Sequence, residues 1–225
     1  YLLQLRINEE YELIRNLIVD FQNAIIKKSK INCEYSGGTC LLVFIIDNNL
    51  ICINVGDCRA ILLEKADLIQ LSFEQKLNDA NEINRILNLG GKIKEIEDKL
   101  KRNNNKYILD LDKNLEIDFS RSLGDSKLKN IGIIYEPFIS EYHLNRMSRF
   151  LIIGTKGLWN VLSNEKAAIQ VNKSCKIGNP IDSCRMLMKK AIDNTINSQK
   201  SLKNVVSSVK LREIIQLKNK NEIFA

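Results

Sequence analysis

The chain has 225 residues, 44% of them hydrophobic and 27% charged, with a formal net charge of +7. That length suits one large domain with a real core, and that balance suits a globular protein in water. No apolar run approaches the roughly 20 residues that a membrane-spanning helix needs, and Tyr1–Leu5 is too short for a secretory signal.

The positive charge does not point to nucleic acid. Its lysines are scattered among asparagines, as in KRNNNK (101–106) and KNKN (218–221), and aromatics make up only 6% of the chain. A base-stacking platform needs aromatic rings interleaved with basic residues, so the lysines read as solvated surface. Six cysteines, Cys33, Cys40, Cys52, Cys58, Cys175 and Cys184, form no CxxC pair. Several lie inside apolar runs, where a thiol behaves as a small hydrophobe, and zinc is not expected. His143 is the only histidine, which excludes a multi-histidine metal site. Neither nucleic acid nor a membrane is an expected partner, and the chain reads as cytoplasmic or nuclear, not secreted. Because it begins with Tyr1 rather than methionine, it also reads as a fragment of a longer product.

In chain order, residues 2–29 carry Leu13, Leu17 and Phe21 at helical spacing, with Ile14, Ile18 and Ile25 alongside, which predicts one or two helices. SGGT (36–39) is a glycine turn feeding a strand; without the lysine and following helix of a P-loop it is not a phosphate cradle. CLLVFIID and LICINVGD flank Asn48-Asn49 as a hairpin, and CRAILLEK and DLIQLS follow as two short strands. Asn78–Leu89 is a helix stopped by Gly90-Gly91, and 92–118 is a polar connection with weak strand content. Segments 117–123 and 131–135 flank the turn Gly124-Asp125. Arg149–Thr155 is a buried strand, Ser163 starts a helix, and Pro180 opens another that runs to about Ile196. Val205–Leu211 is a last strand, and 212–225 a charged, helical tail. Strands in runs followed by paired helices predict antiparallel sheets covered by helices, in a single domain over residues 1–211.

The order of segments says more than any one of them. SGGTC, NVGDCRA (54–60), a helix closing on GG, SRSLGD (120–125), YEPFIS, GLWNVLSNE (157–165) and KNVVSSVKL (203–211) run collinearly over most of the chain. This series resembles the metal-dependent serine/threonine protein phosphatases of type 2C, the PPM family. The resemblance implies an α+β fold, a four-layer αββα sandwich, with two Mg²⁺ or Mn²⁺ ions held by aspartates and a metal-activated water attacking phosphorus. Hard cations want oxygen donors and several negative charges, so each ligand position is open to checking.

Where the family has a metal-binding Asp before glycine, this chain has Lys156, followed by Gly157. The aspartate that often follows the tryptophan is Asn160. The Asp-Asn that opens the family's last strand is Lys203-Asn204. The Asp-His-Lys-Pro segment matches 74–77, where only Glu74 keeps a carboxylate, and the amino-terminal Asp-Gly-His-Gly-Gly segment is absent. Exchanging two carboxylates for two ammonium groups alters such a site by about four charge units, and a protonated lysine has no lone pair to offer a cation. No metal cofactor is therefore expected. The implied function is that of a pseudophosphatase, which binds a kinase, a phosphoprotein or another signalling protein. The alternative is an active Mn/Mg-dependent protein phosphatase with a rearranged metal site. Lys156 and Lys203 would either hold a phosphate or carboxylate with fixed charge or face solvent as drifted surface residues. Gly56, Asp57, Gly124, Asp125 and Gly157 are expected to shape a cleft, Arg59 and Arg121 to pair with internal carboxylates, and Trp159 to pack in the core.

Overall fold

The structure, a computed structural model, describes residues 2–28, 30, 32–65, 67–98, 103–110, 115–174, 179–198 and 214–216. It divides into two compact units. The first takes Tyr1–Cys40, Ile53–Asp57 and Glu74–Ile139; the second takes Leu41–Cys52, Cys58–Phe73 and Ser140–Ala225.

In the second unit, β4 (Arg59–Glu64) and β11 (Ser148–Gly154) form the centre of a four-stranded antiparallel sheet. β5 (Asp67–Gln70) lies on one side and β12 (Ile214–Gln216) on the other, in the order β12-β11-β4-β5. Side chains alternate along these strands, so each feeds two cores. Ile61, Leu63, Phe150 and Ile152 face α3 (Lys156–Trp159), α4 (Asn164–Ser174) and α5 (Pro180–Ser198), through Leu158, Trp159, Ala167, Val171, Leu187 and Ala191. The intervening residues Ala60, Leu62 and Leu151 face a second sheet, through Leu50 and Cys52 of β3 (Asn49–Val55) and Leu41 and Val43 of β2 (Cys40–Ile46). That sheet has the order β10-β3-β2, with β10 spanning Phe138–His143. Helices, sheet and sheet are thus stacked in layers around two apolar interfaces.

In the first unit, α1 (Leu2–Lys28) is one continuous helix. β1 (Gly37–Gly38) pairs antiparallel with β9 (Leu123–Gly124). The third core gathers Leu77, Ile86 of α2 (Ala80–Asn88), Ile108 of β7 (Asn103–Asp110), Ile117 of β8 (Leu115–Ile117), Leu128 and Ile133. Leu128 belongs to a short 3-10 helix over Ser126–Ile131. β6 (Lys92–Asp98), β7 and β8 make a three-stranded antiparallel meander. Among the described residues, no helix is long and apolar enough to cross a membrane.

The architecture is mixed α+β, with antiparallel sheets flanked by helices. Three elements differ from the sequence reading. In the region expected as a polar connection with weak strand content, β6, β7 and β8 form a registered sheet, because Ile93, Ile108 and Ile117 supply enough burial to pin it. Only part of the expected apolar surface of α1 is covered: Leu13, Leu17 and Phe21 are exposed, while Ile18 and Gln22 are buried and Ile14 and Ile25 half-buried. Ile214–Gln216, placed by sequence in a helical tail, is a strand paired with β11. The last strand expected at Val205–Leu211 lies outside the described residues.

Candidate functional site

In the first unit, two glycine turns carry the aspartates singled out by sequence. Gly56 has φ +107°, a left-handed conformation that costs glycine little, and a Cβ there would strike the Thr39 side chain. The turn is braced from three directions. Gln75 accepts from the Gly56 N–H. The Gln75 side-chain amide donates to Asn54 O at 3.2 Å, and the Asn54 amide donates to Gly56 O at 3.1 Å. Asp57, next in the chain, is buried.

The second turn is built from Gly124 (φ +74°) and Asp125 (φ +46°), both left-handed. A non-glycine residue in that region is uncommon and needs support from its surroundings. Support comes from Gln22 of α1, whose side-chain amide donates to Gly124 O at 3.0 Å and whose Oε1 accepts from Gly124 N–H at 2.8 Å. The backbone N–H of Asp125 donates to Ser36 O at 3.0 Å, and those of Ser126 and Lys127 donate to Cys33 O and Glu34 O. A Cβ on Gly37 would collide with the Asp125 carboxylate and Leu123 O, so the SGGT turn meets SRSLGD through bare backbone. Asp125 is itself buried. Nearby, the Lys129 ammonium donates to Ser122 O at 2.7 Å and to Ser122 Oγ at 3.2 Å. Burial pulls the Lys129 pKa down to about 8, partly opposed by the charge of Asp125.

Arg121 of SRSLGD pairs with Glu82 of α2, as expected of an internal carboxylate. Arg85 reaches the same carboxylate at 2.8 Å, and Ser120 Oγ donates to it at 2.6 Å. Burial alone would raise the Glu82 pKa; hydrogen bonds from Arg121, Arg85 and Ser120 outweigh it and hold the group at about 2. Glu74, the one carboxylate kept in its segment, forms an ion pair with Lys76.

The second unit holds the lysine position. β11 ends at Gly154, Thr155 is the N-cap of α3, and Lys156 is the first residue of that four-residue helix. Lys156 and Gly157 are half-buried. Asn160 is the exposed C-cap, and its N–H donates to Lys156 O at 2.9 Å. Trp159 is core, as expected, and its indole N–H is shared between Gly154 O at 2.9 Å and Arg59 O at 3.0 Å. The Arg59 guanidinium stacks 4.9 Å from the Trp159 ring centroid and donates to Asn164 Oδ1 at 2.6 Å. Sequence reasoning missed both the ring and the Asn164 amide. Gln22, Asn54 and Gln75 were missed as well. Single buried amides leave no periodic signal.

Lys203 lies outside the described residues. Among those described, no group of three or more His, Cys, Asp or Glu gathers that could hold a metal ion. The Cys52 thiol is pushed up to about 12 by burial and is inert at neutral pH.

The chain is 32% identical over 163 residues to probable protein phosphatase 2C 27 of Arabidopsis thaliana, a match that covers 70% of this chain and 39% of that protein. It is 30% identical to protein phosphatase 1L of Bos taurus, covering 69% and 41%. The chain thus spans less than half the length of these curated relatives. The fold is similar to the solved serine-threonine phosphatase 2C from Toxoplasma gondii (TM-score 0.73, 19% identity, 84% of this chain, 63% of that one). It is also similar to a sex-determining protein of C. elegans (TM-score 0.66, 16% identity, 80% of this chain and 42% of that one). The family model for protein phosphatase 2C matches residues 5–200, ending before Lys203. With most of its length matched, the chain belongs to the protein phosphatase 2C family.

Proposed function

We propose that this chain is a catalytically impaired protein phosphatase 2C-type domain that acts in signalling inside the cell by binding a protein or phosphoprotein, which it does not hydrolyse. The observation that carries the reading is Lys156, seated at the β11–α3 junction directly before Gly157. A pair of divalent cations needs several hard oxygen donors there, and an ammonium group contributes none while repelling both ions. Asn160 supplies only a neutral amide at the second position, and Glu74 is engaged by Lys76. These donors do not fit a metal pair. A second reading, an active Mn/Mg-dependent phosphatase with a rearranged ligand set, is favoured by the retention of buried Asp57 and Asp125.

A phosphothreonine peptide separates the two. Incubated with the protein and Mn²⁺, it is expected to release phosphate no faster than without protein. Fluorescence anisotropy is expected to show saturable binding that the unphosphorylated peptide lacks and that Lys156→Ala weakens. Mn²⁺-dependent phosphate release, abolished in Glu74→Ala, would replace this reading with the second.

A further inference from the structure

α3 is a single turn, too short to hold itself, since nucleating a helix costs more than one turn of hydrogen bonds returns. Lys156 opens that turn, so its position depends on what grips the rest of it. Leu158 and Trp159 are buried against the end of β11, whose last residue, Gly154, could not carry a Cβ without meeting both side chains. A second grip comes from Arg59, the first residue of β4 and the register partner of Gly154. Its carbonyl accepts from the Trp159 indole N–H at 3.0 Å, and its guanidinium lies 4.9 Å from the centroid of the same ring. Its Nη1 donates to Oδ1 of Asn164, the first residue of α4, at 2.6 Å. The Asn164 amide in turn donates at 3.0 Å to Oε1 of Gln70, the last residue of β5. One residue thus ties β4, α3, α4 and β5 together at the turn that carries Lys156.

We infer that Arg59 is a positioning residue for anion capture by Lys156: through Trp159 and Asn164 it orders α3 before a phosphorylated partner arrives. This rests on the proposed reading that the chain binds a phosphoprotein through Lys156. A lysine meets phosphate as a point charge on a flexible stem, so its affinity depends on how firmly its backbone is held beforehand. Arg59 acts through the turn and not on the phosphate. Its Nε is buried, and the rest of its guanidinium is engaged by the Trp159 ring and the Asn164 amide. Without that brace, α3 has to be ordered during binding, and the cost is subtracted from the affinity.

Fluorescence anisotropy of a phosphothreonine peptide tests this on the 225-residue chain, with circular dichroism showing that each variant is folded. Arg59→Ala is expected to weaken binding by about tenfold, the scale of ordering a long side chain and its turn. Lys156→Ala should weaken it as well. In the Arg59→Ala/Lys156→Ala variant the second change should cost nothing further, because Arg59 acts only through Lys156. Arg59→Lys keeps a cation for the ring and should recover part of the loss. Without peptide, hydrogen exchange of the Asn160 N–H, which donates to Lys156 O at 2.9 Å, should speed up in Arg59→Ala. Should Arg59→Ala fail to fold, Asn164→Ala releases the guanidinium from α4 and is expected to weaken binding and speed the same exchange. An unchanged affinity or an unchanged Asn160 exchange in the folded variant would overturn the inference and leave the proposed function standing. Losses that add in the double variant would also overturn it, by showing Arg59 acting on the phosphate itself. A wild-type chain that binds no phosphothreonine peptide would overturn both.

Discussion

Glu82 and Lys129 show two ways in which a buried charge is held within one chain. Glu82 is surrounded by Arg121, Arg85 and Ser120, so its negative charge is stabilised where burial would otherwise raise its pKa. Its folded pKa of about 2 lies below the ordinary 4.5. The stability it contributes is therefore fully present above pH 4.5 and is lost as pH falls toward 2. In an acid titration followed by circular dichroism, Glu82→Gln should flatten that limb. At neutral pH the same variant should cost about 3 kcal/mol in urea denaturation, because two partly buried arginines lose their counter-charge. Lys129 is also shifted downward, but by the cost of burying its charge rather than by stabilisation of a charge. Its folded pKa of about 8 lies below the ordinary 10.5, so the folded protein holds fewer protons than the unfolded chain between those values. Stability should rise with pH from about 8 upward, and Lys129→Met should remove that rise; an unchanged slope in the variant would locate it elsewhere. At this scale much was legible in the sequence. The lysine before Gly157, the aspartates of GD and LGD, and the pairing of Arg121 with an internal acid all followed from residue type and order. What could not be read was the identity of each partner, because Glu82 and Arg121 are distant in sequence and meet only through folding.

Among the elements, the turn joining SGGT to SRSLGD shows what packing adds to pattern. Each segment is visible as a glycine-containing turn, yet neither announces that Gly37 must lie against Asp125 with no Cβ between them. Gln22 is less legible still. It is a polar residue on the buried face that α1 shares with Ile18, and it is 2% exposed and spans both backbone groups of Gly124. Replacing it with methionine keeps the volume but leaves a buried N–H and C=O unpaired, which should cost about 2 kcal/mol or more. Gly37→Ala should destabilise comparably, since its Cβ meets fixed backbone as well as a carboxylate. Urea midpoints test both, and a midpoint unchanged in either variant would show that this turn can relax. The β6–β8 meander escaped notice for a related reason: its strands are rich in Lys, Glu and Asn, so the pairing is set by a few isoleucines rather than by alternation along the whole run.

Over the whole molecule, each compact unit is assembled from three separate stretches of chain, an interleaving that no local pattern reveals. The collinear order of motifs nevertheless identified the family, because a single motif can arise by chance while a whole series in order does not. The chain carries Asp57 and Asp125 in buried turns, anchors the β11–α3 junction with Trp159, and has a lysine at the head of α3. Under the proposed function this architecture persists without a metal centre. Calorimetric titration of the folded protein with Mn²⁺ and Mg²⁺ tests it most directly. No saturable heat is expected for either ion; stoichiometric binding of two ions, with Lys156 unchanged, would overturn the proposed function.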